Sequence, residues 1–237
     1  MRHNSILFLV VAILIATFSC KKADDNSGFS DDIKNFVPDS TIQAIRDMGM
    51  EINEGKNPPD IEGYYFAQPL VMLESTVPNE TYTSESTWFD YLYYFYNQDN
   101  ENLTVDIEEN GYNSNSEQVT HSVGEGTFLS GNGNVFSSFT IQNGYTLLNG
   151  NQDTAFSQTL IVISGTMSGS GIENFQEVIL MLDDYGDPYN KYIPVNTGRL
   201  FIDGDSLAAR TTADLKAIKM SSKSDFKDSN NKSLISK

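Results

Sequence analysis

A single cysteine, Cys20, stands in a chain of 237 residues. That excludes an internal disulfide framework, so a body of this length must be held by a hydrophobic core. Histidine is almost as scarce, and of the two present only His121 lies beyond the extreme N-terminus. A zinc centre built from several histidines is thereby excluded, and any Ser-His-Asp site would have to use His121. Positive charge is missing over a long middle stretch: residues 57–190 contain no Lys or Arg, against 19 Asp and Glu. The net charge is −17. Such a body repels nucleic acid and anionic lipid, whose recognition rests on cationic side chains meeting phosphates. Ion pairs cannot knit that stretch internally, so burial and backbone pairing must do so. The longest apolar run, residues 6–18, is 13 residues interrupted only by Thr17. It is too short for a transmembrane helix, which needs about 20.

That short run does have a reading. It follows Met1-Arg2-His3 and precedes small residues, the layout of a secretory signal over residues 1–19. A secreted chain with one free thiol is an oddity, and acylation of Cys20 resolves it. Thr17-Phe18-Ser19-Cys20 resembles a bacterial lipobox, with Thr17 where Leu is usual. Lys21-Lys22-Ala23-Asp24-Asp25 resembles the export tag of Bacteroidota lipoproteins. The resemblance implies a membrane attachment through acyl chains on Cys20, with the protein on the exterior of the outer membrane. The competing reading is an ordinary secreted protein followed by a solvated linker.

Residues 20–37 read as a polar, acidic tether without apolar period. Residues 38–56 read as a helical lead-in, because Ile42, Ile45 and Met48 recur at helical spacing after a cap at Pro38-Asp39-Ser40 and before Gly49. Asn57-Pro58-Pro59 bars further helix. Residues 57–204 then alternate strand and turn signals. Strands are expected over 63–71, 87–96, 102–108, 118–123, 126–130, 135–141, 145–148, 156–167, 175–182 and 199–202. Turns are expected at Asn110-Gly111, at residues 131–134, at Asn143-Gly144 and at residues 169–171. The fold class is therefore all-β, an antiparallel barrel or sandwich of about 8–10 strands. A short helix starting at Asp205 or Thr212, followed by a polar tail, is expected over residues 205–237.

Asn57-Pro58-Pro59, Ile61-Glu62-Gly63-Tyr64, Met181-Leu182-Asp183-Asp184 and Gly186-Asp187-Pro188 resemble elements of uncharacterised Bacteroidota lipoproteins. That resemblance implies a lipocalin-like β-barrel and carries no established activity. Gly63 followed by Tyr64 and Tyr65 also resembles the lipocalin Gly-x-Trp, with Tyr65 at the Trp position. Asp39-Ser40-Thr41, Asp153-Thr154-Ala155 and Asp205-Ser206-Leu207 resemble Bacteroidota O-glycosylation sequons.

Candidate site residues are few. The run TWFDYLYYFY at residues 87–96 sets Trp88, Leu92, Tyr94 and Tyr96 against Phe89, Tyr91, Tyr93 and Phe95, because successive strand residues face opposite ways. One set belongs to a core, and the other is a candidate ligand platform or is covered by another element. Asp183, Asp184 and Asp187 concentrate oxygens in a turn, a weak calcium signal without EF-hand spacing. Glycosidase chemistry needs two flanking carboxylates; Glu173, Glu177, Glu125 and Asp90 are the candidates, and the favoured reading of them is solvent-facing strand carboxylates. No catalytic residue and no cofactor is assigned. The expected role is non-enzymatic binding of a small apolar or glycan ligand. The alternatives are a structural or docking subunit of an outer-membrane complex, and a carbohydrate-active hydrolase.

Overall fold

The computed structural model describes residues 28–148 and 152–212. Residues 1–27, with the expected signal segment and Cys20, lie outside them, as do residues 213–237. Two helices, α1 (Asp31–Phe36) and α2 (Asp39–Asp47), precede eleven strands. These are β1 (Lys56–Asn57), β2 (Gly63–Ala67), β3 (Leu70–Ser75), β4 (Asp90–Asp99), β5 (Thr104–Tyr112), β6 (Gln118–Asn132), β7 (Val135–Leu148), β8 (Asp153–Met167), β9 (Gly171–Asp183), β10 (Gly198–Asp203) and β11 (Leu207–Thr211).

All strands join one sheet in the order β11-β2-β4-β5-β6-β7-β8-β9-β10-β3. Its ladders are antiparallel except for β1, which pairs in parallel with β6 and makes the sheet mixed. The sheet curls far enough for β11 to pair both with its neighbour β2 and with β9, the third strand from the other end of the run. Residues 209–211 pair with β2, and residues 207–209 pair with the start of β9. On the other side of the same seam, β3 meets the approach to β4 through a Val71–Thr87 bridge and the Trp88 N–H donating to the Leu70 carbonyl.

Alternation along the strands sorts side chains into a concave and a convex set. The concave set includes Tyr65, Tyr93, Phe95, Val105, Ile107, Phe136, Ile163 and Phe175, all buried in the main core. The convex face of β7 to β10 offers Phe139, Leu160, Val162, Val178 and Leu200 to the two helices. Ile42 and Ile45 of α2 are buried there, and Gly49 at φ +102° ends that element as its spacing predicts.

Several expectations need correction. Residues 28–37 are not a tether: Phe29, Ile33 and Val37 are buried against the convex face, with Phe29 edge-on to Phe139 and Phe36 edge-on to Phe128. Spacings of four recur there, and Ser30 caps the helix by accepting from the Ile33 N–H. The strand expected over 63–71 is broken at the cis Gln68–Pro69 bond into β2 and β3. Asn110-Gly111 and Asn143-Gly144 are not turns but interior positions of β5 and β7. Gly111 and Gly144 face the concave side, where a β-carbon would come within 2.4 Å of Thr120 Oγ1 and 2.7 Å of Ser122 Cβ. Glycine there answers crowding and not a reversal of the chain. Residues 207–211 form strand β11 and not a helix begun at Asp205; the rest of that expected helix lies outside the described residues. Among the described residues no helix is long and apolar enough to cross a membrane.

Candidate functional site: a cavity on the concave face

The concave face is filled at one end only. Toward the turn between β6 and β7, Tyr65, Phe95, Phe136 and Phe175 close it with aromatic packing. Toward the β5–β6 and β9–β10 loops it opens into a cavity of about 760 Å³, within the range of small-ligand sites. Apolar wall comes from Trp88, Tyr91, Ile161, Ile179, Met181 and Phe201, and polar wall from Thr120, Ser122, Thr146, Ser157 and Thr159.

The mouth is built on Arg199. Its guanidinium grips Glu80 through Nε at 2.8 Å and Nη2 at 3.1 Å. That pairing holds the Glu80 carboxyl down at about 2, with backbone and Ser75 donors assisting. The same guanidinium lies 4.8 Å from the Trp88 ring and 5.2 Å from Tyr82, while Trp88 packs on Phe201 at 5.3 Å. Opposite, Asp187 accepts from the Lys191 and Tyr192 N–H groups, and Tyr192 donates its hydroxyl to the Ala155 carbonyl at 2.7 Å.

The floor carries charge-bearing groups in an apolar setting. Glu109 lines the cavity and accepts from Gln142 Nε2 at 2.7 Å; one layer away Glu177 accepts from the Tyr93 hydroxyl at 2.8 Å. All four side chains are buried. Desolvation, then the Glu177 charge, pushes Glu109 well above the usual carboxylate range; desolvation pushes Glu177 up to about 7. Glu177 Oε1, Gln142 Oε1 and Thr127 Oγ1 are buried with no hydrogen-bond partner among the described residues.

The aromatic run divides differently from its parity. Tyr91, Tyr93 and Phe95 are buried in the main core, and Tyr91 reaches the cavity. Phe89 packs on the same core and lines the cavity. Trp88 does not join Leu92, Tyr94 and Tyr96: β4 begins only at Asp90, and the bend before it turns Trp88 into the cavity beside Phe89. Leu92 is buried on the convex face with Phe66 and Tyr112. Tyr94 and Tyr96 stack there at 4.7 Å, and Tyr64 continues the ladder onto Tyr94 at 4.1 Å.

The acidic turn is committed to its own backbone. Asp183 accepts from the Tyr185 N–H, Asp184 from the Gly186 N–H, and Asp187 from two more. Among the described residues no three His, Cys, Asp or Glu gather to hold a metal. His121 places Nδ1 3.0 Å from Asn110 Oδ1. Glu177 is fully buried and not solvent-facing, whereas Glu173 is exposed. Glu109 and Gln142 were not singled out by sequence reasoning. Parity carried the signal: Glu109 is in phase with Val105 and Ile107, and Glu177 with Phe175 and Ile179, so each interrupts an apolar concave row.

Comparison of the chain with protein-family models, with curated proteins and with solved structures finds no match.

Proposed function

We propose that this chain is a lipoprotein of the Bacteroidota type, anchored through acyl chains on Cys20 to the outer membrane and facing the exterior. Its sheet acts as a barrel of lipocalin-like kind that binds a small apolar or glycan ligand without chemical turnover. The cavity of about 760 Å³ carries this reading, because it combines an open mouth, an aromatic wall and a few buried polar groups. The sharing of β11 between β2 and β9 supports closure of the sheet. Hydrolysis is disfavoured: of the buried carboxyls Glu109, Glu177 and Asp203 only Glu109 lines the cavity, and glycosidic cleavage needs two at the bond.

Trp88 is the one tryptophan of the chain and lines the cavity, so its emission reports on occupancy. Saturable change of that emission on titrating small aromatic compounds is expected, and Trp88→Phe should abolish the signal while calorimetric binding persists. An emission that responds only linearly, together with no calorimetric binding, would sink the ligand reading. For the anchor, Cys20→Ala should remove acyl-chain mass and detergent-phase partitioning; unchanged mass and partitioning would sink that part.

The half-buried Tyr64–Tyr94–Tyr96 ladder favours a second reading, docking on another outer-membrane protein through the convex face of β2 and β4. Tyr94→Ala should weaken co-purification with such a partner if this reading is right, and leave Trp88 emission unchanged.

A further inference from the structure

Beneath the cavity the inventory of hydrogen-bonding groups is unbalanced. Glu109 and Glu177 bring four carboxyl oxygens and Gln142 a fifth acceptor. Gln142 Nε2 and the Tyr93 hydroxyl supply one bond to each carboxyl. Glu177 Oε1 and Gln142 Oε1 are left without a partner among the described residues, although both residues are fully buried. Buried acceptors in native proteins are paired, so these two, on Gln142 bonded to the cavity-lining Glu109 and on Glu177 one layer behind it, mark a floor short of donors.

Charge points the same way. Among the described residues no Lys, Arg or His forms an ion pair with either carboxyl. Two buried carboxyls, of which Glu177 raises Glu109 by its charge, do not readily both ionise without a cation between them. At the mouth, Arg199 is already held by Glu80, which leaves Lys191 as the other cation lining the cavity. The body around the site, residues 57–190, is acidic throughout and contains no cation, so its field draws positive charge inward.

Resting on the ligand-cavity reading above, we propose that the ligand is an organic ammonium. Its apolar or aromatic body lies against Trp88, Ile161, Ile179 and Phe201, and its N–H donors reach Glu109 at the floor. An ammonium supplies three donors, and a positive charge that no described residue brings to the floor. A hydroxyl brings one donor and no charge, and a carboxylate brings repulsion. The titratable groups around Glu109 are Tyr91 and Tyr93 on β4 and Glu177 on β9; Tyr192 lies against Tyr91, His121 on β6 and Tyr145 on β7 line the same cavity, and Tyr82, Lys191 and Arg199 stand at the mouth. Burial and the Glu177 charge raise Glu109 above the usual carboxylate range and so favour its neutral form, whereas an ammonium against it favours the carboxylate, so binding is expected to release a proton to solvent.

The experiment titrates three compounds matched in shape, 4-phenylbutylamine, 4-phenylbutanol and 4-phenylbutyrate, into the full-length protein while following Trp88 emission and heat. The amine is expected to bind about tenfold or more tighter than the alcohol, because a charge-assisted bond replaces a neutral one. The butyrate should be weakest. Heats measured in buffers of different ionisation enthalpy should show proton release with the amine and none with the alcohol. Glu109→Gln should bring the amine down to the affinity of the alcohol and leave the alcohol unchanged. Should that variant fail to fold, Glu177→Gln, which keeps side-chain shape one layer away and removes the charge that raises Glu109, is expected to reduce the proton release that accompanies amine binding. Saturable binding in which the alcohol or the butyrate matches the amine overturns the ammonium proposal and leaves the cavity reading standing. Amine selectivity that survives Glu109→Gln, or proton release unchanged in Glu177→Gln, overturns it equally. Binding by none of the three, with Trp88 emission and heat both unmoved, overturns both.

Discussion

Glu177 shows how one residue can set the pH response of a fold. Its carboxyl has one donor, the Tyr93 hydroxyl, and is otherwise enclosed by Phe175, Ile179 and their neighbours. Burial raises it from 4.5 to about 7. Between those values the folded chain holds a proton that the unfolded chain has released. Unfolding is then favoured by rising pH, so stability falls from about pH 4.5 to 7 and levels off above. Asp203, buried where it accepts from the Gln68 and Asp205 N–H groups, is raised to about 7 and acts in the same window. Glu109, raised by burial and by the Glu177 charge, acts in the same sense. Glu80 works oppositely: held near 2 by Arg199, it contributes above its unfolded value and loses that contribution as pH drops toward 2. The melting temperature is therefore expected to peak near pH 4.5–5 and to fall toward pH 8. Glu177→Gln should flatten the fall and stabilise the protein at pH 8 by roughly 1–3 kcal/mol. A wild-type melting curve that rises between pH 5 and 8 would contradict this account.

Strand β4 shows what an element's pattern reveals and what it hides. Alternation over residues 91–96 was legible, because a period of two is the geometry of any strand. Which face was core was not legible, since both rows are aromatic; contacts with Phe136 and Phe175 decide it, and these are distant in sequence. Trp88 was misplaced because parity was extended past the first paired residue. Asn110-Gly111 and Asn143-Gly144 misled in another way: their turn chemistry is genuine, but crowding by Thr120 and Ser122 gives the glycines a different use. Helix α1 was missed because its apolar residues are few among charges. The two faces of β4 have different costs. Phe95→Ala removes a fully buried ring and leaves a cavity, so a loss of about 3–5 kcal/mol is expected. Tyr94→Ala strips one half-buried ring from the convex ladder and should cost about 1 kcal/mol. Denaturant titrations of the two variants check this, and equal losses would mean that the convex ladder is as enclosed as the core.

The whole molecule divides its concave side between a packed end and an open one, and dresses one convex flank with helices. Its charge is less evenly managed. The net charge is −17, against which the ion pairs among the described residues include Lys34–Asp31, Arg46–Glu54 and Arg199–Glu80. Lys34–Asp31 is largely exposed and so contributes little. Repulsion among carboxylates therefore outweighs attraction between opposite charges, and it acts mostly on the folded state, where the charges are closest. Salt shortens the reach of that repulsion, from about 30 Å at 0.01 M to about 8 Å at 0.15 M. Screening should also weaken the Arg199–Glu80 pair, but that pair is largely enclosed at the cavity mouth and is screened less. The balance predicts that sodium chloride raised from 0.01 to 0.15 M increases the melting temperature by about 2–4 °C, equivalent to about 1 kcal/mol for a chain of this size. Chloride is the salt to use, because sulfate would strengthen apolar burial and imitate the effect. A flat or falling melting temperature in chloride would show that the carboxylates are too widely spread to repel one another appreciably, and that the acidity of the body serves its surroundings and not its fold.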